Sequence, residues 1–254
     1  MTEAQQPPFT WPQGKRAAIS LSFDDARPSQ VDVCIPILDR YGVKATFYLS
    51  PPNIGQRQES WRAAGVHGHE MGNHTMTHPC TGNFPWSLGN SLEHMTLADM
   101  EAEIQKANDF ILDAVGVQPH SFAYPCGQKY VGRGETVSSY VPLIARHFVA
   151  GRGFRDETVN NPSFCDLAQA VGVDSDDQDF TILKGWVDRA VQEGGWLIFA
   201  SHDVGVYPHQ AMLAVTLDAL CKYCINPDLG IWVDTVASVG GYIQQHRTRE
   251  GLEG

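Results

Sequence analysis

"RAAISLSFDD", residues 16–25, is the stretch on which the fold turns. Residues 16–23 read as a buried strand, and two adjacent aspartates close it. Downstream, "DVCIPILDRYG" (32–42) reads as a helix interrupted early by Pro36 and stopped by Gly42. "KATFYLS" (44–50) is a second strand and "HEMGNH" (69–74) a candidate third. "TLADMEAEIQKANDFILDAVG" (96–116) is the clearest helix: Thr96 and Asp99 suit its first turn, apolar residues recur at helical spacing, and Gly116 ends it. "HSFAYP" (120–125) and "HFVAG" (147–151) read as strands, with a helix between them ending near Arg146. "TILKGWVDRAVQEGG" (181–195) is a helix that feeds the apolar strand "WLIFAS" (196–201). A helix over 209–224, the strand "GIWV" (230–233) and a closing helix to about 247 complete the series. This alternation, without linker or repeat, implies one parallel α/β domain over 16–248 behind an N-terminal extension, 1–15. Seven or so β/α units are barrel-like, and an open doubly wound sheet is the alternative.

Composition narrows the function. The 254 residues are 43% hydrophobic and 19% charged, an ordinary globular balance. A formal charge of −11 argues against a nucleic-acid partner and against charge-driven adhesion to an anionic membrane, and it favours a neutral or cationic substrate. No apolar run approaches the roughly 20 residues that span a bilayer, so no transmembrane segment is expected. "MTEAQQPPFTWPQGKR" has no apolar h-region and no small-residue cleavage site, so the expected location is cytoplasmic, or secreted if a leader has been removed. Six cysteines are too few and too scattered to read as a disulfide framework. Cys221 and Cys224 form a C-x-x-C that reads as two positions on one face of a helix.

Functional residues of a parallel α/β fold lie just beyond the C-terminal ends of its strands. Asp24 and Asp25 follow the first strand, His74 and His78 the third, "YPCG" the strand after 120, and His202 and Asp203 the strand 196–201. Adjacent carboxylates repel unless a cation or shared proton relieves them. In extended backbone they point to opposite sides, so one can ligate a metal while the other acts as a base. Taken alone, "DD" reads as an N-cap pair. His74 and His78 stand four apart, a spacing that puts two imidazoles on one side of a helical turn. One aspartate and two histidines make a facial triad with open positions, a catalytic rather than a structural arrangement. Pro79 pushes His78 away from αR, so His78 is expected to end a turn.

"SFDD" (22–25), "HTMTHP" (74–79), "FAYPCG" (122–127) and "ASHD" (200–203) resemble, in order and spacing, the motifs of the polysaccharide deacetylases, the NodB-homology group or carbohydrate esterase family 4. The resemblance covers about residues 16–240. It implies a distorted (β/α) barrel, a divalent metal (commonly zinc, with Co2+ or Ni2+ as alternatives) and hydrolytic removal of acetyl groups from an acetylated carbohydrate. It also implies Asp25, His74 and His78 as metal ligands, Asp24 as the general base that deprotonates the metal's water, the backbone N–H of Cys126 as an oxyanion donor, and His202 as the general acid. The physical logic agrees. A metal lowers the pKa of its water from ~16 toward ~7. A carboxylate and a histidine then move protons, each role worth about 10²–10⁴-fold. An ion plus an amide donor makes an oxyanion site.

The sequence departs from the family pattern in three places. Ala26 and Arg27 stand where Gly usually follows the aspartates. Ala123-Tyr124 stands where an arginine usually orients the base, leaving Arg27, Arg152 and Arg155 as replacements. Cys126 replaces an aromatic residue. The aspartate that would tune His202 is assigned to Asp174, in "VGVDSDDQDF". Tyr124, Pro125, Trp86 and Trp186 are expected to contact substrate, with at least half of the group Trp61, Trp86, Trp186 and Trp196 in the core. The loop 80–95 is long for a compact domain and is the expected substrate wall. Of His69 and Glu70, one is expected to point into the barrel as a structural group.

Three functions are weighed. The leading one is a metal-dependent deacetylase of an N- or O-acetylated glycan: chitin-type, peptidoglycan-type or acetylxylan. The second is a hydrolase of a small amide or cyclic imide on the same barrel, allantoinase-like, which tetrameric assembly and a closed site would favour. The third, a catalytically silent carbohydrate-binding protein, predicts loss of a ligand, the base or the acid, and all are present. The sequence does not set the oligomeric state.

Overall fold

The computed structural model describes residues 9–206 and 209–249, so residues 1–8 of the expected N-terminal extension lie outside the described residues. In chain order the elements are β1 (Ala17–Asp24), α1 (Ile35–Arg40), β2 (Thr46–Leu49), α2 (Gln58–Val66), β3 (Glu70–Asn73) and α3 (Leu97–Val115). They continue with β4 (Ser121–Ala123), β5 (Tyr130–Val131), β6 (Ser138–Ser139), α4 (Val141–His147), β7 (Ala150–Arg152), β8 (Val173–Asp174) and α5 (Phe180–Glu193). The chain closes with β9 (Trp196–Ser201), β10 (Asp203–Val204), β11 (Ala211–Met212), α6 (Ala214–Cys224), β12 (Ile231–Val233) and α7 (Val236–Arg249).

The main sheet runs β7-β4-β3-β2-β1-β9-β8, with β12 beside the start of β1. Its pairs are parallel. An isolated parallel bridge between Arg152 and Ala170 joins the β7 edge to the segment leading into β8. The sheet therefore curls back on itself as the distorted barrel expected from the sequence, not as an open doubly wound sheet. Register places the site: Phe23 stands opposite both Phe47 and Ser201. Asp24 and His202, each the next residue along, leave the sheet at the same level. Asn73 pairs with Leu49 and Phe122, so His74 emerges at that level too.

All eight residues of β1 are buried, and from Ile19 to Asp24 they alternate: Ile19, Leu21 and Phe23 join the apolar core, while Ser20, Ser22 and Asp24 are hydrogen-bonded. Outside the barrel, Phe23 stacks on Phe47, and Phe47 meets Trp61 edge-on, their ring centroids 5.4 Å apart in both cases. The helix α3 starts at a capping box between Thr96 and Asp99 and ends at Gly116, whose φ of 83° is one that glycine adopts without a Cβ clash. Inside the barrel lies Glu70, whose carboxylate accepts hydrogen bonds from Thr46 Oγ1 (2.8 Å), Ser121 Oγ (2.5 Å) and the Ala237 amide (2.9 Å). Glu70 is thus the structural group expected of the 69–70 pair, and burial raises its pKa. Among the described residues, no helix is long and apolar enough to cross a membrane.

Candidate active site

The strand β1 ends in a tight reversal: Asp25 and Ala26 have φ of 78° and 54°. The left-handed conformation at 26 accounts for glycine being usual there, and Ala26 fits it with its small side chain fully buried. The reversal points Asp24 and Asp25 to different partners. Asp25 Oδ1 lies 3.7 Å from His74 Nε2 and 3.7 Å from His78 Nε2. Ligand atoms around a tetrahedral zinc stand roughly 3.3–3.8 Å apart, given bonds of about 2.0–2.3 Å. The spacing and chemistry of this donor set fit a divalent ion.

Residues 74–78 are not helical, contrary to the reading of the i, i+4 spacing. The turn is built by side chains: the Thr75 amide donates to Asn73 Oδ1 (2.7 Å) and the His78 amide to Thr75 Oγ1 (3.0 Å). His78 has a φ of 52°, away from αR as its position before Pro79 demands. The imidazoles still converge, with centroids 4.7 Å apart. His74 Nδ1 lies 2.9 Å from the Ala123 carbonyl, which can only accept, so Nδ1 carries the proton and Nε2 is free to ligate. Burial, then His74, lower the His78 pKa to about 4 and keep that imidazole neutral.

Asp24 is buried, and its Oδ1 accepts from Arg152 Nη2. Burial raises the pKa of this carboxyl, but Arg152, His74 and His202 outweigh it and hold it at about 2. Of the three arginines considered, Arg152 on β7 is the one that reaches the base. Arg27 spans Asp25 Oδ2 (3.0 Å), Asp203 Oδ2 (2.7 Å) and Gln210 Oε1 (2.9 Å). Arg155 pairs with Asp174 Oδ2 at 3.1 Å.

That last pair corrects the assignment of Asp174: the carboxylate on His202 is Asp176. His202 Nδ1 lies 2.5 Å from Asp176 Oδ2, while Asp176 Oδ1 accepts from the His202 amide (3.0 Å) and Ser201 Oγ (2.7 Å). The ring's proton on Nδ1 leaves Nε2 for the cleft. Burial lowers the His202 pKa, but the Asp176 hydrogen bond and the charges of Asp24, Asp176 and Asp25 raise it overall. Gln30, unmarked by any sequence signal, donates from one amide nitrogen to both the Asp24 carbonyl (2.5 Å) and the His202 carbonyl (2.9 Å). It thereby clamps the two strand ends together.

Asp24, Asp25, His74, His78 and His202 line an open cleft of about 780 Å³. Beside His78, the loop 80–95 supplies Trp86, whose ring lies 5.9 Å from the imidazole and stacks on Phe84 at 5.2 Å. On the other side Phe154 packs edge-on against His202 at 5.6 Å. The remaining expected substrate contacts lie elsewhere. Tyr124 is fully buried, donating its hydroxyl to the Ala168 carbonyl (2.6 Å), and Pro125 is buried beside it. Trp186 packs on the core from α5 under the Arg189 guanidinium. Trp61 and Trp196 are core residues.

Cys126 lines the cleft with a φ of 53° and is disulfide-bonded to Cys80, a single pairing that the scattered cysteines did not announce in the sequence. The two are 46 residues apart, and it is the adjacency of β3 and β4 that brings their trailing loops together.

A curled parallel sheet with a carboxylate–histidine cluster at the C-terminal ends of its strands defines the distorted (β/α) barrel class, with its site at the strand ends. The polysaccharide deacetylase family matches residues 12–139, half of the chain, and the chain belongs to that family. A gellan lyase from Bacillus sp. is 28% identical over 222 residues, which cover 87% of this chain and 7% of that protein. The chain spans well under half the length of the relatives it matches by sequence. A solved structure from Mycobacterium smegmatis superposes with a TM-score of 0.67 at 14% identity, covering 94% of each chain. The peptidoglycan deacetylase PdaC of Bacillus subtilis does so with a TM-score of 0.53 at 20% identity, covering 93% of this chain and 95% of that one.

Proposed function

We propose that this chain is a metal-dependent hydrolase that removes acetyl groups from an N- or O-acetylated glycan. One observation carries the reading: Asp25, His74 and His78 converge at 3.7 Å donor spacings, with Asp24 and His202 beside them. Asp25, His74 and His78 would hold a divalent ion, zinc in the first place. When bound, such an ion supplies a Lewis acid for the acyl oxygen and makes water acidic enough to react near neutral pH.

The chain's own residues supply the rest. Asp24 accepts the proton of the attacking water. Arg152 holds its other oxygen, so that the carboxylate stays ionised and fixed in angle. The Cys126 amide, at the cleft wall, donates to the oxygen that gains charge. His202, aligned by Asp176, gives a proton to the departing amine or alcohol from Nε2. Trp86 and Phe84 offer a sugar-stacking wall. The open cleft supports a polymer or oligomer over a small cyclic imide, for which a closed site was expected. Residues 16–248 act as the catalytic unit in this reading.

The test is acetate release by metal-reconstituted protein from chito-oligosaccharides, peptidoglycan fragments and acetylxylan, with Asp24→Asn and EDTA-treated controls. Acetate from one class, abolished in both controls, supports the reading and names the substrate. No acetate from any, with metal bound, overturns it.

A further inference from the structure

His74 and His78 differ in what their second nitrogen touches. A metal-ligating histidine almost always donates its other N–H to a carboxylate, carbonyl or water. His74 does so, to Ala123. At His78 the second nitrogen faces a sulfur instead: its Nδ1 lies 3.7 Å from Cys80 Sγ, while its Nε2 lies 3.7 Å from Asp25. The imidazole stands between two sets of donor atoms. His78, Cys80 and Cys126 place one nitrogen and two sulfurs within 4.8 Å of one another. The Nδ1–Sγ gap already matches the edge of a zinc tetrahedron, roughly 3.3–3.8 Å.

We propose that the Cys80–Cys126 pair is a redox-gated second metal site sharing His78 with the catalytic set. Oxidised, the two sulfurs are bonded to each other and can ligate nothing. A dithiol reductant reaches the bond through the cleft, since Cys126 lines it while Cys80 is buried. Its thiolate attacks Cys126 Sγ, breaking the Sγ–Sγ bond and releasing Cys80 as the thiolate. The reductant's second thiol then resolves the mixed disulfide, leaving two cysteine thiols and a cyclic disulfide of the reductant. The two freed thiols and the His78 Nδ1–H lose their protons to solvent as a soft divalent ion binds, so that His78, as an imidazolate bridging the two ions, gives Nδ1 as the third ligand and leaves a fourth position open. The sulfurs cannot serve both uses, so the thiol–disulfide state sets whether the second ion binds. Because that ion seats on the ring that holds the first, the reducing state of the surroundings is communicated to the catalytic centre.

This inference rests on the proposed function only for the role of His78. Its test is a cobalt titration of the whole chain, oxidised and after reduction with the reductant removed anaerobically. Thiol counting under denaturing conditions should give four free thiols before reduction and six after. Cobalt uptake should rise from one equivalent to two, the second bringing a near-ultraviolet thiolate-to-cobalt band. The double variant Cys80→Ser/Cys126→Ser should keep the first equivalent and lose the second and the band, which separates this pair from Cys221 and Cys224. Reduction that frees both thiols without a second equivalent or a thiolate band overturns the proposal, even if the variant fails to fold. Oxidised protein that takes up no cobalt at all instead overturns the catalytic reading.

Discussion

Arg152 and Asp24, 128 residues apart in sequence, meet inside the barrel, where the guanidinium of one holds a carboxylate oxygen of the other. Both side chains are buried, and Arg152 also donates to its neighbour's carbonyl, Gly153 O, at 2.9 Å. The family's usual arginine would reach the base from the β4 end. Here β7, the next strand in the sheet, delivers it instead. The charge arrives at the same carboxylate from a different strand.

Removing that charge should therefore strand a buried anion. Arg152→Met is expected to lose roughly 3–5 kcal/mol of stability, the penalty for breaking a buried pair from one side. Turnover should fall by on the order of 10²-fold, because base orientation is lost while the metal ligands remain. Asp24, held at about 2, is lowered on folding. Its contribution to stability is thus present above the unfolded carboxylate value, about 3.9, and is lost as pH falls toward about 2. In Arg152→Met the acid limb of kcat/KM should move upward from that range. Denaturant titration, metal content and a pH–rate profile check the three parts, and unchanged turnover would contradict the positioning role.

His202 gives the opposite limb. Its folded pKa is raised, so the imidazolium persists above the ordinary histidine value, and a general acid must be protonated to act. Activity should fall on the alkaline side as pH rises through the folded pKa. Asp176→Asn removes a charged hydrogen bond worth about 1.5–3 kcal/mol, which moves that limb down by about 1–2 pH units. Asp174→Asn, which loses the charge paired with Arg155 but keeps an Oδ1 to accept from the Asp176 amide (3.1 Å), should leave it in place. The paired pH–rate profiles decide between the two aspartates.

The contrast between those aspartates shows what a sequence can and cannot carry. The strands that frame the site were readable because full burial leaves apolar runs, and the ligands because they follow those runs directly. β8 is two residues long, with no periodicity to find, so nothing in "VGVDSDDQDF" says which acid faces the barrel. The helix α2 escaped notice for a related reason: over nine residues, only Trp61 and Ala64 are buried. The Arg152–Asp24 contact and the Cys80–Cys126 bond depend on which strands become neighbours, a property of the closed sheet and of no local segment. Tyr124 and Pro125 lie inside a motif, yet the strand they follow turns them into the core, so motif membership did not predict exposure.

The aromatic wall yields a prediction about binding alone. Trp86 is 62% exposed at the cleft, and its contact with the proposed chemistry is the tilted His78 ring, 5.9 Å away. Trp86→Ala should raise KM for an oligomeric substrate roughly fivefold, a loss of about 1 kcal/mol, with kcat nearly unchanged. Trp186→Ala should leave KM alone and cost stability instead, since its ring packs on the core. Initial-rate kinetics on a chain-length series would show the Trp86 effect growing with length. A kcat effect without a KM effect would remove Trp86 from the substrate wall.

Metal binding and turnover should separate at the two adjacent aspartates. Asp25 lies between both imidazoles, while Asp24 is committed to Arg152 through one oxygen and stands 3.9 Å from His74 through the other. An ion that binds only the folded chain stabilises it by about 4 kcal/mol at a thousand times its dissociation constant. For a chain of this size that is a rise in Tm of roughly 8–16 °C on adding zinc, reversed by EDTA. Asp24→Asn should keep most of that rise and lose turnover, because the amide cannot take a proton. Asp25→Asn and His74→Ala should lose both, because a ligand is gone. Scanning calorimetry with and without zinc reads the first property, and acetate release reads the second. If Asp24→Asn lost the zinc-dependent rise as completely as Asp25→Asn, both carboxylates would be ligands, and the base would have to be sought elsewhere in the cleft.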